Sequence, residues 1–288
     1  MRWLLSVIVV VLLVVGLWWM EQKRQARMVP EPDVNLPTVP EQPEPRYPVP
    51  EPEPERLPTP DDTTEGDTPE ASDTSPETRP EPKPPLPDLA DSDTAAVETL
   101  ASLLGNEFVR QRIKPEFVIP RGVSLINSLD GEAPAIKSRP VRTLDDEPLT
   151  EETGNGETLL WTEANSARYE DLVAAIEAVP PEEAAANYTR YYPLFQQAWD
   201  ELGEPEPYFN DRLIDIIDHL LATPEVELPF EVTPYENRLH FADESLEEQT
   251  WGRKLLFRMG PDHARRVKAW LETFRQAVTD QPGREADD

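Results

Sequence analysis

A mainly α-helical globular head with a small two-stranded β element, preceded by a transmembrane helix and a disordered Pro/Glu-rich stalk, is the fold class that the sequence predicts. Three observations predict it. An uncharged apolar run fills residues 3–20, 19 of the 34 prolines fall between Pro30 and Pro87, and after Asp88 apolar residues recur at helical spacing between Gly and Pro stops. The expected organisation is an anchor at 1–22, a linker at 23–87, a helical domain at 88–280 and a disordered tail at 281–288.

The anchor reads WLLSVIVVVLLVVGLWWM, eighteen residues without a charge. As a helix it spans roughly 27 Å, close to the thickness of a hydrocarbon core. Trp3 stands at one end and Trp18 and Trp19 at the other, as interfacial indoles do. A cleaved signal peptide needs small residues before the cut, and Trp18, Trp19 and Met20 occupy those places, so the run reads as a retained anchor. For orientation, Arg2 and the α-amino group precede the span, and Lys23, Arg24 and Arg27 follow it. That count alone favours a cytoplasmic head. Long downstream domains translocate against such small differences, however, and the spacer is of envelope type, so the head is expected in the periplasm.

The stalk repeats motifs such as PEQPEPRYPVPEPEPE. Proline fixes φ and removes backbone donors, and the glutamates repel one another, so neither helix nor sheet is expected there. In polyproline-II form residues 30–87 reach at most about 180 Å. The stretch Asp61–Ser72 has Gly66 in the sixth position of a calcium loop, but ends in Ser72 where that loop needs Glu.

In the head, DSDTAAVETLASLLG offers Asp91 or Ser92 as N-cap, apolar residues at 97, 100, 103 and 104, and Gly105 as a stop. A short helix is expected after Pro120, closed by Gly131, and then a long surface loop over 132–158 that includes Asn155-Gly156. Helices are expected over 163–178, 181–202 and 208–222, with Pro193 kinking the second. VELPFEV and RLHF form the two-stranded ribbon around Thr233-Pro234, followed by helices over 244–259 and 261–279.

Net charge is −30, spread along stalk and head, which speaks against nucleic acid as a partner because phosphate contact wants clustered Lys and Arg. The chain has no cysteine, so disulfides, thiolate metal sites and cysteine nucleophiles are excluded. Hydrolase elbow, phosphate-loop, zincin and dinucleotide motifs are missing, and the residues identify no catalytic group, metal or cofactor.

Three clusters remain as candidate sites. Asp211, Asp215 and Asp218 share one helix face with His219 beside them, residue types that suit a metal; the apolar stripe of Leu213, Ile214, Ile216, Ile217, Leu220 and Leu221 on the other side instead makes this the wet face. Tyr188, Tyr191, Tyr192 and Trp199, with Phe195, form an aromatic stripe suited either to stacking on glycan sugars or to core packing. Arg253, Lys254, Arg258, Arg265, Arg266 and Lys268 lie in a stretch that nets +5 between Gln249 and Arg275. They form a basic patch for anionic lipid, peptidoglycan or an acidic protein, or else they compensate acids of the same head.

The blocks YYPLFQQAWDELG, YFNDRLIDIIDHLLATPEVELP and RKLLFRMGPDHARRVKAWL, in that order, resemble the uncharacterised bacterial family DUF3014. The resemblance runs from about Asp88 to Ala277, and this chain carries a longer acidic insertion around 144–157 than the family pattern. It implies single-span, proline-stalked envelope proteins of Gram-negative bacteria, with an inner-membrane anchor and a periplasmic head. The family has no established activity, so it lends no catalytic role. The expectation is therefore a membrane-tethered, non-enzymatic envelope interaction or scaffold module. It would hold the inner membrane through residues 3–20 and contact an unknown envelope protein or peptidoglycan. The alternatives are a carboxylate- or metal-dependent cell-wall enzyme centred on Asp211, Asp215, Asp218 and His219, and a cytoplasm-facing membrane adaptor using the basic patch.

Overall fold

The structure, a computed structural model, describes residues 43–49, 84–142, 147–154, 156–236 and 238–280. The expected span at 3–20, the rest of the stalk and the tail at 281–288 lie outside the described residues, and among those described no helix is long and apolar enough to cross a membrane. The chain divides into two compact units, Met1–Pro43 and Glu44–Asp288, and the head belongs to the second.

Helix α1 (Asp93–Leu104) ends at Gly105, whose φ of 88° suits a residue without Cβ. α2 (Asn106–Arg112) follows at once and is too short to announce itself by periodicity. α3 (Val118–Asn127) starts after Phe117, held at φ 53°, and Asp93 of α1 caps it from outside: its two carboxylate oxygens accept the N–H groups of Phe117 and Val118 at 2.8 Å each.

The stretch expected to be loop, 132–158, contains one strand, β1 (Thr150–Glu152), and a second, β2 (Leu159–Trp161), follows directly after it. With β3 (Phe230–Tyr235) and β4 (Arg238–Phe241) they form a four-stranded antiparallel sheet in the order β1-β2-β3-β4, so the two-stranded ribbon is half of the observed element. Strands of three residues are too short for alternation to register in sequence. What holds β2 to β3 is cross-strand packing: Trp161 pairs with Phe230, their rings stacked 6.2 Å apart. The expected turn at Thr233-Pro234 is instead strand, with Pro234 opposite Leu239, and the reversal comes at Glu236 (φ 45°).

Between β2 and α4 (Glu170–Glu177) the chain forms a 3-10 turn over Glu163–Tyr169 where continuous helix was expected. Buried Asn165 explains the pause. Its side-chain oxygen accepts the N–H of Leu149 at 2.9 Å and its amide donates to the Leu149 carbonyl, tying the sheet-side loop to this turn. α5 (Pro181–Leu202) begins with proline in its first turn, runs unbroken through Pro193 and stops at left-handed Gly203. α6 (Phe209–Leu221), α7 (Glu244–Glu247), α8 (Trp251–Met259) and α9 (Pro261–Thr279) complete the head. The helix expected over 244–259 is broken in two because the N–H groups of Trp251 and Gly252 donate across to the carbonyls of Gly131 and Leu129, at 2.9 and 2.8 Å.

The main core gathers α1, α3, α5, α6 and α9 around Val123, Trp199, Phe209 and Ile214, all almost fully buried. A second cluster, Trp161, Phe230, Val232, Phe241 and Phe257, glues the sheet to α8, and a third joins Ile216 and Leu220 of α6 to Leu256 and Met259. α6 thus buries its apolar stripe on both sides of the head, leaving its N-terminal polar face at the edge of the main core.

Candidate functional site

The start of α6 is fixed by α5. Gln196 Oε1 accepts the N–H of Phe209 at 3.0 Å, its amide donates to the Pro207 carbonyl at 2.8 Å, and Trp199 Nε1 donates to the Glu206 carbonyl at 2.7 Å. These bonds pin the Gly-Glu-Pro-Glu-Pro connection and set the direction in which Asn210 and Asp211 face. Tyr188 of α5 then donates its hydroxyl to Asn210 Oδ1 at 2.8 Å, which orients the asparagine so that its amide faces outward.

What that amide meets is the stalk. Asn210 Nδ2 donates to the carbonyl of Tyr47 at 2.7 Å, while the two oxygens of Asp211 accept consecutive N–H groups, Arg46 at 3.0 Å and Tyr47 at 2.9 Å. One turn on, Asp215 takes the Arg46 guanidinium in a two-pronged pair at 2.6 and 3.1 Å. Tyr47 and Val49 pack against the main core, and the guanidinium of Arg275 on α9 lies 5.9 Å from the Tyr47 ring centre. Arg275 is itself held by Asp218 at 2.6 and 3.0 Å. Residues 44–49, which composition alone assigns to spacer, therefore lie in a cradle along α6 and α9, bent at Arg46 and Tyr47.

Burial ranks these contacts. Asn210 is 0% and Asp211 7% exposed, so their bonds to the segment's main chain are shielded from water; for a charged acceptor such a bond is worth about 1.5–3 kcal/mol. The Arg46–Asp215 pair is half exposed, with side chains 55% and 43% accessible, and contributes at most about 1 kcal/mol. The main chain carries affinity here, and Arg46 and Tyr47 carry selectivity. Burial holds the Tyr188 hydroxyl well above its usual range and pushes Tyr192 up to about 12, so both remain neutral hydroxyls beside Asp211.

The aspartates expected to meet water thus have partners on the protein. Asp211 is buried on the stalk segment, and Asp215 and Asp218 each face a guanidinium. His219 turns away to Thr250, 2.8 Å from its Oγ1, and burial lowers its pKa. Among the described residues no three of His, Asp and Glu converge as metal ligands do.

The aromatic stripe is mostly interior. Tyr188, Tyr191 and Trp199 are buried and Tyr192 is half-buried, because α5 is covered by α3, α6 and α9. The stripe is therefore no sugar-stacking surface. Tyr191 donates to the Ala95 carbonyl at 3.1 Å and lies 2.8 Å from Thr99 Oγ1, fastening α5 to α1.

Nor do the six basic residues form one open patch. Arg266 joins α9 to α4 through Glu177 at 2.5 Å and Glu170 at 3.2 Å, and Arg265 reaches Glu225 and Asp262. Lys254 bonds Glu247, Lys268 the Thr223 carbonyl, and Arg253 Gln249. Arg258 donates to the Leu239 carbonyl at 2.8 Å and lies over the Phe241 ring. The excess of cations in this stretch compensates acids and carbonyls of the same head.

Reasoning on the head alone overlooked Arg46, Tyr47, Asn210 and Arg275. One signal was legible: Tyr47 is the lone aromatic between Trp19 and Phe108, set in a stretch otherwise made of Pro, Glu, Val and Arg.

A family model described as a protein of unknown function, DUF3014, matches residues 118–275, from the start of α3 to Arg275 and including Asn210, Asp211, Asp215 and Asp218. No curated protein and no solved structure matches the chain. With more than half of its length matched by that model, the chain belongs to the DUF3014 family.

Proposed function

We propose that this chain is a membrane-tethered, non-enzymatic interaction module of the bacterial cell envelope, whose head works by holding a short polypeptide segment. The observation that carries the reading is the use of Asn210 and Asp211: three of their polar atoms are spent on the main chain of residues 46 and 47. Groups arranged for acid–base or metal chemistry keep a lone pair or proton free for a substrate. These are arranged for peptide recognition, in which main-chain bonds give affinity and side-chain contacts give choice. The apolar run at 3–20, the Pro/Glu stalk and the expected periplasmic head supply the tether and its compartment.

Two measurements test this. A reporter active only outside the cytoplasm, fused after Asp288, is expected to be active, and activity of a cytoplasm-only reporter in its place contradicts the envelope assignment. Calorimetry of the full chain with Mg²⁺, Mn²⁺ or Zn²⁺ is expected to show no binding heat that disappears in Asp215→Ala. Such heat, with a dissociation constant below about 10 μM, would favour the metal-dependent alternative.

A further inference from the structure

We infer that the cradle along α6 and α9 is an exchangeable recognition site for an Arg-Tyr-Pro-Val type peptide, with residues 46–49 of the stalk as its built-in occupant. The inference rests on the binding reading above and adds the ligand class and the means of control.

The seated segment, and not the acidity of α6, defines the site. Asn210 and Asp211 recognise the segment mainly by main chain, through one carbonyl and two successive N–H groups, which a bend at Arg46 and Tyr47 turns to the same side. Discrimination comes from three side chains. Asp215 selects a guanidinium, which fills both carboxylate oxygens at once where an ammonium fills one. The place of Tyr47, against the core and beside the Arg275 guanidinium, selects an aromatic ring. Val49 adds a small apolar contact. The prolines at 45 and 48 restrict the backbone on both sides of the bend and lower the entropy lost on docking.

Such an occupant is displaceable because its contacts are few and partly wet. It stays in place because it is covalently attached: through residues 50–83 its effective concentration is on the order of a millimolar. A free peptide of the same chemistry therefore competes against that concentration, and the site opens to a partner that binds more tightly than the stalk does. Exchange also changes the tether. Among the described residues the segment meets the head at Arg46 and the chain meets it again at Pro84, so release leaves the second contact and frees a length of up to about 120 Å at polyproline rise. Occupancy and reach are then one equilibrium.

The test uses the full chain in detergent with a fluorescein-labelled peptide of residues 44–50, Glu-Pro-Arg-Tyr-Pro-Val-Pro. Arg46→Ala/Tyr47→Ala, which weakens the built-in occupant, is expected to bind the peptide about ten-fold or more tightly than wild type. Adding Asp215→Arg to that chain is expected to weaken binding by about five-fold or more, and a peptide with Arg replaced by Asp to recover most of the loss. Absence of peptide binding to a folded Arg46→Ala/Tyr47→Ala chain overturns the inference and leaves the segment a fixed strut. Should that variant not fold, Val49→Cys in the otherwise cysteine-free chain replaces it. Saturating peptide is expected to raise its thiol alkylation rate about five-fold or more by mass action, and an unchanged rate overturns the inference. Either failure is distinct from failure of the module reading, which the reporters and the metal titration decide.

Discussion

Tyr47 and Asn210 are 163 residues apart in sequence, yet the side-chain amide of Asn210 donates to the Tyr47 carbonyl at 2.7 Å. Nothing in the composition of a Pro/Glu stalk calls for such a bond. It exists because Tyr188 orients Asn210 from behind, and because Asp211 at its side takes the two main-chain donors just before that carbonyl, the N–H groups of Arg46 and Tyr47. Sequence reading makes these residues the wet edge of a helix; structure makes them the head's grip on its own stalk.

Asp211→Ala removes both acceptors and leaves the N–H groups of Arg46 and Tyr47 to water. Thermal and urea unfolding should show a loss of about 1–3 kcal/mol, with the helical circular dichroism unchanged at 20 °C. A loss within experimental error would mean that the segment adds nothing to the head's stability.

Arg46 and Asp215 are expected to couple weakly. Arg46→Asp or Asp215→Arg alone should raise the alkylation rate of Val49→Cys, and the reversed pair should bring it back most of the way. The coupling energy in that cycle should be about 1 kcal/mol or less, because the pair is half exposed.

Gly252 shows where the head tolerates no change. A Cβ added there would stand 2.6 Å from the Leu129 carbonyl oxygen and 2.7 Å from a methyl of Leu220. Gly252→Ala should therefore cost about 1–3 kcal/mol in chemical denaturation, although alanine is the better helix former. A neutral or stabilised variant would refute the tight approach of α8 to the end of α3.

The bridge from α9 to α4 gives the head a pH dependence of known sign. Arg266 holds Glu170 and Glu177 below the ordinary carboxylate value of 4.5, with His263 adding to the effect on Glu170. The folded state thus binds fewer protons than the unfolded state, so this stabilisation is complete above 4.5 and is lost as pH falls through the lowered folded values. Midpoints measured from pH 7 to pH 3 should fall further for wild type than for Arg266→Gln, with the two curves converging at the acid end. Parallel curves would mean that the bridge does not form in solution.

How legible this molecule is depends on the length and covering of each element. α1, α5, α6 and α9 are long, amphipathic and bounded by Gly or Pro, and their limits are read from sequence almost to the residue. β1 and β2 are not, since three residues carry no period; β2 pairs with Phe230 and Val232 of β3, and β1 in turn with β2. The break before α8 is equally silent, because its cause is a pair of carbonyls near residue 130. The site fails for a similar reason. Asp211, Asp215 and Asp218 are visible as a face, but what covers that face is a segment from the low-complexity stalk, and helical periodicity says nothing about a partner so remote in sequence.

The grip of the head on its stalk at Arg46 and Tyr47 is decided by amide hydrogen exchange on the full chain, comparing wild type with Asp211→Ala. The two amides bonded to Asp211 should exchange at least about ten-fold slower in wild type than in the variant, consistent with a docking free energy above about 1.4 kcal/mol. Equal rates in the two proteins, at the values of an unstructured peptide, would contradict it.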